Sequence, residues 1–184
     1  EALALMAYPD EGGLTILRQA LEEGLFDRFI LTDGMKAEGL LTEIGGEYLE
    51  GAYGTAARAV ESDASEVWRE AFEAAYGEMP PVPYIDGAYD AAWILMLAIE
   101  KAGSTDGTAI RDAIREVSSA PGEKVRPGEW EKAKELIAAG TDIDYVGAAG
   151  EHEFDENGDV SGTFEHWAIL DGQIQSVAVF DPSE

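Results

Sequence analysis

"ALALMAYPDEGGLTILRQALEEGLFDRFILTDGM", residues 2 to 35, decides the fold. Its first seven residues are an apolar strand. "LTILRQALEEG" follows with Leu14, Leu17, Leu21 and Leu25 down one side and Gly24 near its end, the period of an amphipathic helix with a C-terminal stop. "RFILTDG" is a second strand running into a turn. Strand, helix and strand at this spacing form a βαβ unit, which requires a parallel sheet with a helix packed on it. "LLTEIGG" adds a short helical turn and "LEGAYGTA" a third strand.

Outward from this unit the chain changes character. Asp63 and Glu66 predict a capping box for "ASEVWREAFEAAYG", in which Val67, Trp68, Ala71, Phe72 and Ala75 share a face. "MPPVP" breaks the chain before a long helix from Ile85 to Ala102, stopped by Gly103. "STDGTAIRDAIREV" and "RPGEWEKAKELIAAG" give two more helices, the latter with Pro127 at its start and Gly140 at its end. Short strands follow in "DYVGA", "HEF", "GTFEHWAIL" and "IQSVAVF", with Asp171-Gly172 as a hairpin turn. The expected divisions are 1–55, a βαβ segment; 56–141, mostly helical; and 142–184, strands and a hairpin. A chain that opens inside a strand implies further sequence before Glu1.

Composition narrows the function classes. The chain has 184 residues, 46% of them hydrophobic, enough for a sizeable core. Against 38 Asp and Glu stand 12 Lys and Arg, a formal charge of −26. A polyanion repels nucleic acid and anionic lipid, so neither is an expected partner. It suits salty surroundings, where repulsion is screened. Cysteine is absent, so disulfides and thiolate sites are excluded. The apolar run "AAWILMLAI" is too short to span a bilayer and reads as a buried helix segment.

Motifs for chemistry are sparse. Asp155, Asn157 and Asp159 alternate like calcium ligands, but an EF-hand loop counted from Asp155 needs Gly where Val160 stands and Glu where His166 stands. Asn157-Gly158 reads as a turn. His152 and His166 sit in no metal-ligand spacing and read as structural or exposed. GxSxG, P-loop and GxGxxG patterns are missing. No catalytic residue, metal site or cofactor is expected. The remaining candidates are the loops after the first two strands, because open parallel sheets bind ligands at strand C-terminal ends. These loops carry Tyr8 and Asp33, an aromatic ring and a carboxylate suited to a cationic group. Asp33 also reads as a helix cap or turn residue.

In order, residues 7–35, then "EGAYGTA", "YDAAWILMLAIEKAGSTDGTAIRDAIREV" and "FDENGDVSGTFEHWAIL" resemble the C-terminal half of branched-chain amino-acid-binding proteins. These are type I periplasmic binding proteins, extracytoplasmic receptors of bacterial ABC importers. The resemblance implies an α/β fold with parts of two lobes: residues 1–55 and 142–184 in the second lobe, 56–141 in the first, and the N-terminal half missing. It implies an amino acid as ligand, enclosed by hinge closure, and a membrane permease as partner. Asp33 would receive the ligand ammonium and Tyr8 would help enclose it. Asp stands where the best-known receptors have Glu, a shorter reach. Apolar faces such as "AAWILMLAI" would lie exposed in such a chain unless a dimer covered them. An extracytoplasmic location follows, with a lipid anchor one expected feature of the preceding sequence. An amino-acid or amide sensor of a regulatory or signalling protein, on the same fold, is the alternative.

Overall fold

The computed structural model describes residues 1–80 and 83–181. Residues 81 and 82, in the middle of the expected "MPPVP" break, lie outside the described residues. The chain forms two compact units. The first comprises Glu1–Arg58, Pro80–Pro83 and Thr163–Glu184, and the second Ala59–Met79 and Tyr84–Gly162.

The first unit is built on the expected βαβ segment. Strand β1 (Leu3–Leu5), helix α1 (Gly13–Glu22), β2 (Phe29–Leu31) and β3 (Tyr53–Arg58) are joined by a late hairpin, β6 (Thr163–Leu170) and β7 (Gln173–Phe180). The sheet order is β1-β2-β3-β6-β7. The first three strands are parallel, and β6 and β7 complete the sheet antiparallel. Between β6 and β7 lies the expected two-residue turn, with φ of 52° at Asp171 and 71° at Gly172. Both values are what such a hairpin demands.

One face of this sheet makes the core. Leu5, Phe29, Leu31, Ala52, Ala56, Trp167 and Ile169 are buried with Leu17 and Ala20 of α1 and Leu40 of a following π-helical turn, Leu40–Gly45. Leu14 and Leu21 pack against that core, as the helical period requires. Leu25, read as part of the same stripe, is 56% exposed because α1 stops at Glu22. On the opposite face of the sheet Ile30 and Tyr53, cross-strand neighbours, are partly open.

The second unit contains α2 (Asp63–Tyr76), α3 (Ile85–Ala102), α4 (Gly107–Ser118), β4 (Glu123–Val125), α5 (Trp130–Ala138) and β5 (Ile143–Tyr145). Helix α3 has the bounds read from the sequence. Its Trp93, Ile94, Leu97 and Ala98 pack on Val117, Val125, Ala133, Ile143 and Tyr145. Leu95, Met96 and Ile99 on its other side are exposed, so the apolar run "AAWILMLAI" is half core and half surface.

Other details also depart from the sequence reading. The cap of α2 is Ser62, not Asp63: Ser62 Oγ accepts from Ser65 N–H while Ser65 Oγ accepts from Ser62 N–H. Residues 142–162, grouped on the sequence with the last strands, fold with the helices because β5 pairs in parallel with β4. The return to the first unit comes at Thr163. "HEF" is not a strand; that stretch makes only isolated bridges, Val146 with Glu151 and Phe154 with Val160.

Among the described residues the buried carboxylates are Asp90, Asp144 and Glu165, so nearly all of the negative charge faces water. Self-repulsion at −26 opposes compactness, and it is screened over about 10 Å at 0.1 M salt but about 3 Å at 1 M. The melting temperature is therefore expected to climb steadily from 0.1 to 2 M KCl in a calorimetric scan. A flat or falling series would show that surface repulsion does not limit stability.

Candidate functional site

The C-terminal ends of β1 and β2 lie side by side, with Leu5 paired to Leu31. Beyond Leu5 the chain passes through Met6 and Ala7 to Tyr8, then a 3-10 turn over Pro9–Glu11. Tyr8 C=O accepts from the N–H groups of Glu11 at 3.2 Å and Gly13 at 3.0 Å, which fixes the tight entry into α1. Beyond Leu31, Thr32 leads into a second 3-10 turn, Asp33–Met35. Thr32 C=O accepts from Met35 N–H at 3.0 Å, and Asp33 C=O accepts from Lys36 N–H at 2.9 Å.

Packing brings the two turns together. Met35 is fully buried against Gly13 at the start of α1. The Tyr8 ring lies on the backbone of Gly34, where a Cβ would sit 2.7 Å from Cε1 and 2.9 Å from Cδ1. Only glycine at 34 permits that approach. Tyr8 is thus seated beside Asp33; Tyr8 as a whole is 60% exposed and Asp33 half-buried. Both residues singled out from sequence lie just beyond the C-terminal ends of two adjacent parallel strands.

A charged cluster lies next to this pair that sequence reading did not find. Lys36, immediately after the Asp33 turn, donates to Glu165 on β6. Arg58, at the end of β3, places its guanidinium 3.9 Å from the other Glu165 oxygen and donates to Ser176 Oγ at 3.3 Å. Burial raises the Glu165 carboxyl, but Lys36, Ser176 and Arg58 together outweigh it and hold the group below the usual glutamate range. Lys36 and Glu165 are 129 residues apart, and only the alternation of "TFEHWAIL" hints that Glu165 points to the core face.

Elsewhere the expected turn at Asp155 is formed. The Asp155 carboxylate accepts from the N–H groups of Asn157 at 2.8 Å and Asp159 at 2.9 Å, and Arg115 grips the Asp155 carbonyl. His166 meets Tyr53 edge to face at 5.4 Å. His152 is partly buried, with its Nε2 3.0 Å from Asp90 within the second unit. No described helix is long and apolar enough to cross a membrane.

The model of the periplasmic binding protein family matches residues 2–152. The chain belongs to that family. Among curated relatives, this periplasmic binding protein is 35% identical over 109 residues to the leucine-, isoleucine-, valine-, threonine- and alanine-binding protein of Pseudomonas aeruginosa, matching 59% of this chain and 28% of that one. It is 33% identical over 90 residues to the chemotactic signal transduction system substrate-binding protein BasB of Halobacterium salinarum, 48% of this chain and 22% of that one. Its fold superposes on the leucine-binding protein LivK of Thermotoga maritima with a TM-score of 0.66 and 28% identity, covering 99% of this chain and 45% of the other. The substrate-binding protein LivJ of Streptococcus pneumoniae, in complex with isoleucine, shares the fold at a TM-score of 0.64 and 18% identity, covering 98% and 44%. The chain thus spans less than half the length of these relatives.

Proposed function

We propose that this chain is part of an extracytoplasmic solute-binding protein of an ABC importer, taking an amino acid of the branched-chain or a related class and delivering it to a membrane permease. The observation that carries the reading is the Tyr8 ring seated on Gly34 beside Asp33, at the C-terminal ends of adjacent parallel strands. Asp33 receives the ligand ammonium in a charge-assisted hydrogen bond, and Tyr8 lends an apolar wall. The names of the Pseudomonas and Thermotoga relatives support the ligand class. Binding of this kind involves no bond making, and no residue is assigned a catalytic role.

The test is a thermal-shift titration of the complete gene product with leucine, isoleucine, valine, threonine and alanine, beside its Asp33→Asn variant. A ligand at 100 times its dissociation constant stabilises the folded state by about 2.7 kcal/mol. Loss of the carboxylate is expected to remove about 2–5 kcal/mol of affinity and so the shift, and the ligand-free melting curve of the variant checks that it is folded. A flat response of well-folded parent protein to all five ligands would overturn the reading.

The BasB relative favours a second reading, in which the same site feeds a chemotactic signalling partner. Co-purification of a transducer protein in place of a permease would select it.

A further inference from the structure

We infer that Asp144 on β5 is a buried proton-binding group that makes the second unit responsive to pH: protonated, it lets β5 seat against β4, and ionised, it loosens that pair. Among the described residues, two of the buried carboxylates are matched by partners. Asp90 accepts from Tyr145, Ala148 and Ala149, and Glu165 faces Lys36 and Arg58. Asp144 differs. It is 4% exposed, and its Oδ1, shut off from water, has no hydrogen-bond partner among the described residues. A carboxylate held in this way is costly as an anion and takes up a proton more readily.

Its neighbours sharpen the effect. In the parallel register Asp144 stands opposite Lys124 on β4, the natural cation for it. Lys124 Nζ instead donates to Glu151 at 3.0 Å, and the bridge between Val146 and Glu151 holds that carboxylate in place. Glu153, which accepts from Ala120 N–H at 3.0 Å, brings a second negative charge to the same side. Burial first, then the Glu153 charge, push the Asp144 carboxyl above the usual aspartate range; Lys124 offsets them only in part, and Glu151 adds to the rise. Charged groups on the packing helices are engaged elsewhere. Lys132 of α5 donates to Lys124 C=O at 2.6 Å and pairs with Glu123 at 3.3 Å. On α4, Arg115 grips the Asp155 carbonyl and Glu116 pairs with Lys101 at 3.6 Å. Arg126, just past β4, acts on Lys124 as a like charge. Ionised Asp144 therefore contests Lys124 with Glu151 and draws β5 toward water, against the 2.9 Å bond from Val146 N–H to Val125 C=O. Because the folded value is raised, the stabilising contribution is fully present below the unfolded pKa of about 3.9 and is lost as pH rises through the folded value.

The proposal is tested on the complete gene product by melting curves from about pH 3.5 to 8 for the parent and Asp144→Asn. Glu156→Gln, which removes an equal charge from an exposed position of the same unit, is the control. We expect Asp144→Asn to melt about 2–4 °C above the parent at neutral pH, and the difference to vanish near the unfolded pKa. The control is expected to shift far less. Independently, the carboxyl 13C signal of Asp144 in the parent is expected to titrate above the ordinary aspartate range, and it decides the matter should the variant not fold. An Asp144→Asn protein that melts at or below the parent at neutral pH, an advantage that does not change with pH, a control that reproduces it, or an ordinary titration midpoint would each overturn the proposal.

Discussion

Asp90→Ala is expected to cost about 3–5 kcal/mol of stability in the second unit. Asp90 lies on α3 with no exposed surface, yet its carboxylate accepts four bonds. Tyr145 O–H and Ala148 N–H reach one oxygen at 2.8 Å each; Ala149 N–H reaches the other at 2.7 Å, and His152 Nε2 stands 3.0 Å from it. Helix, strand β5 and the loop after it are tied through this one group. The loop backbone comes so close that a side chain at Gly147 would run into the carboxylate. Truncation leaves Tyr145 and Ala148 buried, and Ala149 and His152 partly buried, without an acceptor, and it is that loss which makes the cost large. Asp90→Asn keeps the shape but turns an NH2 toward N–H donors, and should lose a substantial part of the same stability. Urea unfolding followed by tryptophan fluorescence reads the effect directly, since Trp93 stacks on Tyr145 at 5.8 Å. A loss under about 1 kcal/mol for Asp90→Ala would show that other contacts hold the loop.

The same network sets an alkaline limit. Burial first, then the Asp90 charge and its hydrogen bond, push the Tyr145 phenol well above the usual tyrosine range. Because the folded value is raised, the contribution is fully present below the unfolded pKa of about 10 and is lost as pH rises beyond it. Stability of the second unit should therefore fall above about pH 10, and Tyr145→Phe should flatten that fall.

Trp167→Ala is the largest expected loss in the first unit, about 3–5 kcal/mol. Trp167 on β6 is fully buried among Leu31, Ala52, Ala56 and Ile169. Its indole lies flat against Gly54 on β3, where a Cβ would sit 2.8 Å from Cζ2. Removing the ring opens a cavity that neighbouring strands cannot close, because β3 is already hydrogen-bonded on both sides. Trp167→Phe should recover most of the loss, since its smaller ring still fills much of the space and discards a buried indole N–H that finds no hydrogen-bond partner among the described residues. Differential calorimetry measures both. If Trp167→Ala lowered stability by less than about 1 kcal/mol, the burial seen at this site would not be what holds the sheet face to α1.

Much of this molecule follows from local pattern. The period of "LTILRQALEEG", flanked by apolar strands, was sufficient for a βαβ unit, and α3 could be bounded because a break precedes Ile85 and a glycine follows Ala102. Tyr8 and Asp33 were legible as strand-end residues for the same reason: each follows its strand within a few positions. Where the signal was local but ambiguous, reading slipped by a residue, as at α2, where serine rather than aspartate took the cap. Strand β4, "EKV", carries two charges in three residues and has no period to detect; pairing with β5 alone makes it a strand.

The sequence by itself determined the α/β class, the helices, the first parallel strands and the acidic surface, because periodicity, caps and charge are properties of neighbouring residues. Tertiary structure decided which distant groups meet. Asp90 reads as one polar position in an apolar helix until β5 and its loop bring it Tyr145, two backbone N–H groups and His152. Glu165 reads as an alternating strand residue until the order β2-β3-β6 carries it to within reach of Lys36. A buried charge is tolerable only where such partners converge, and convergence across a sheet is set by strand order, which no local pattern encodes.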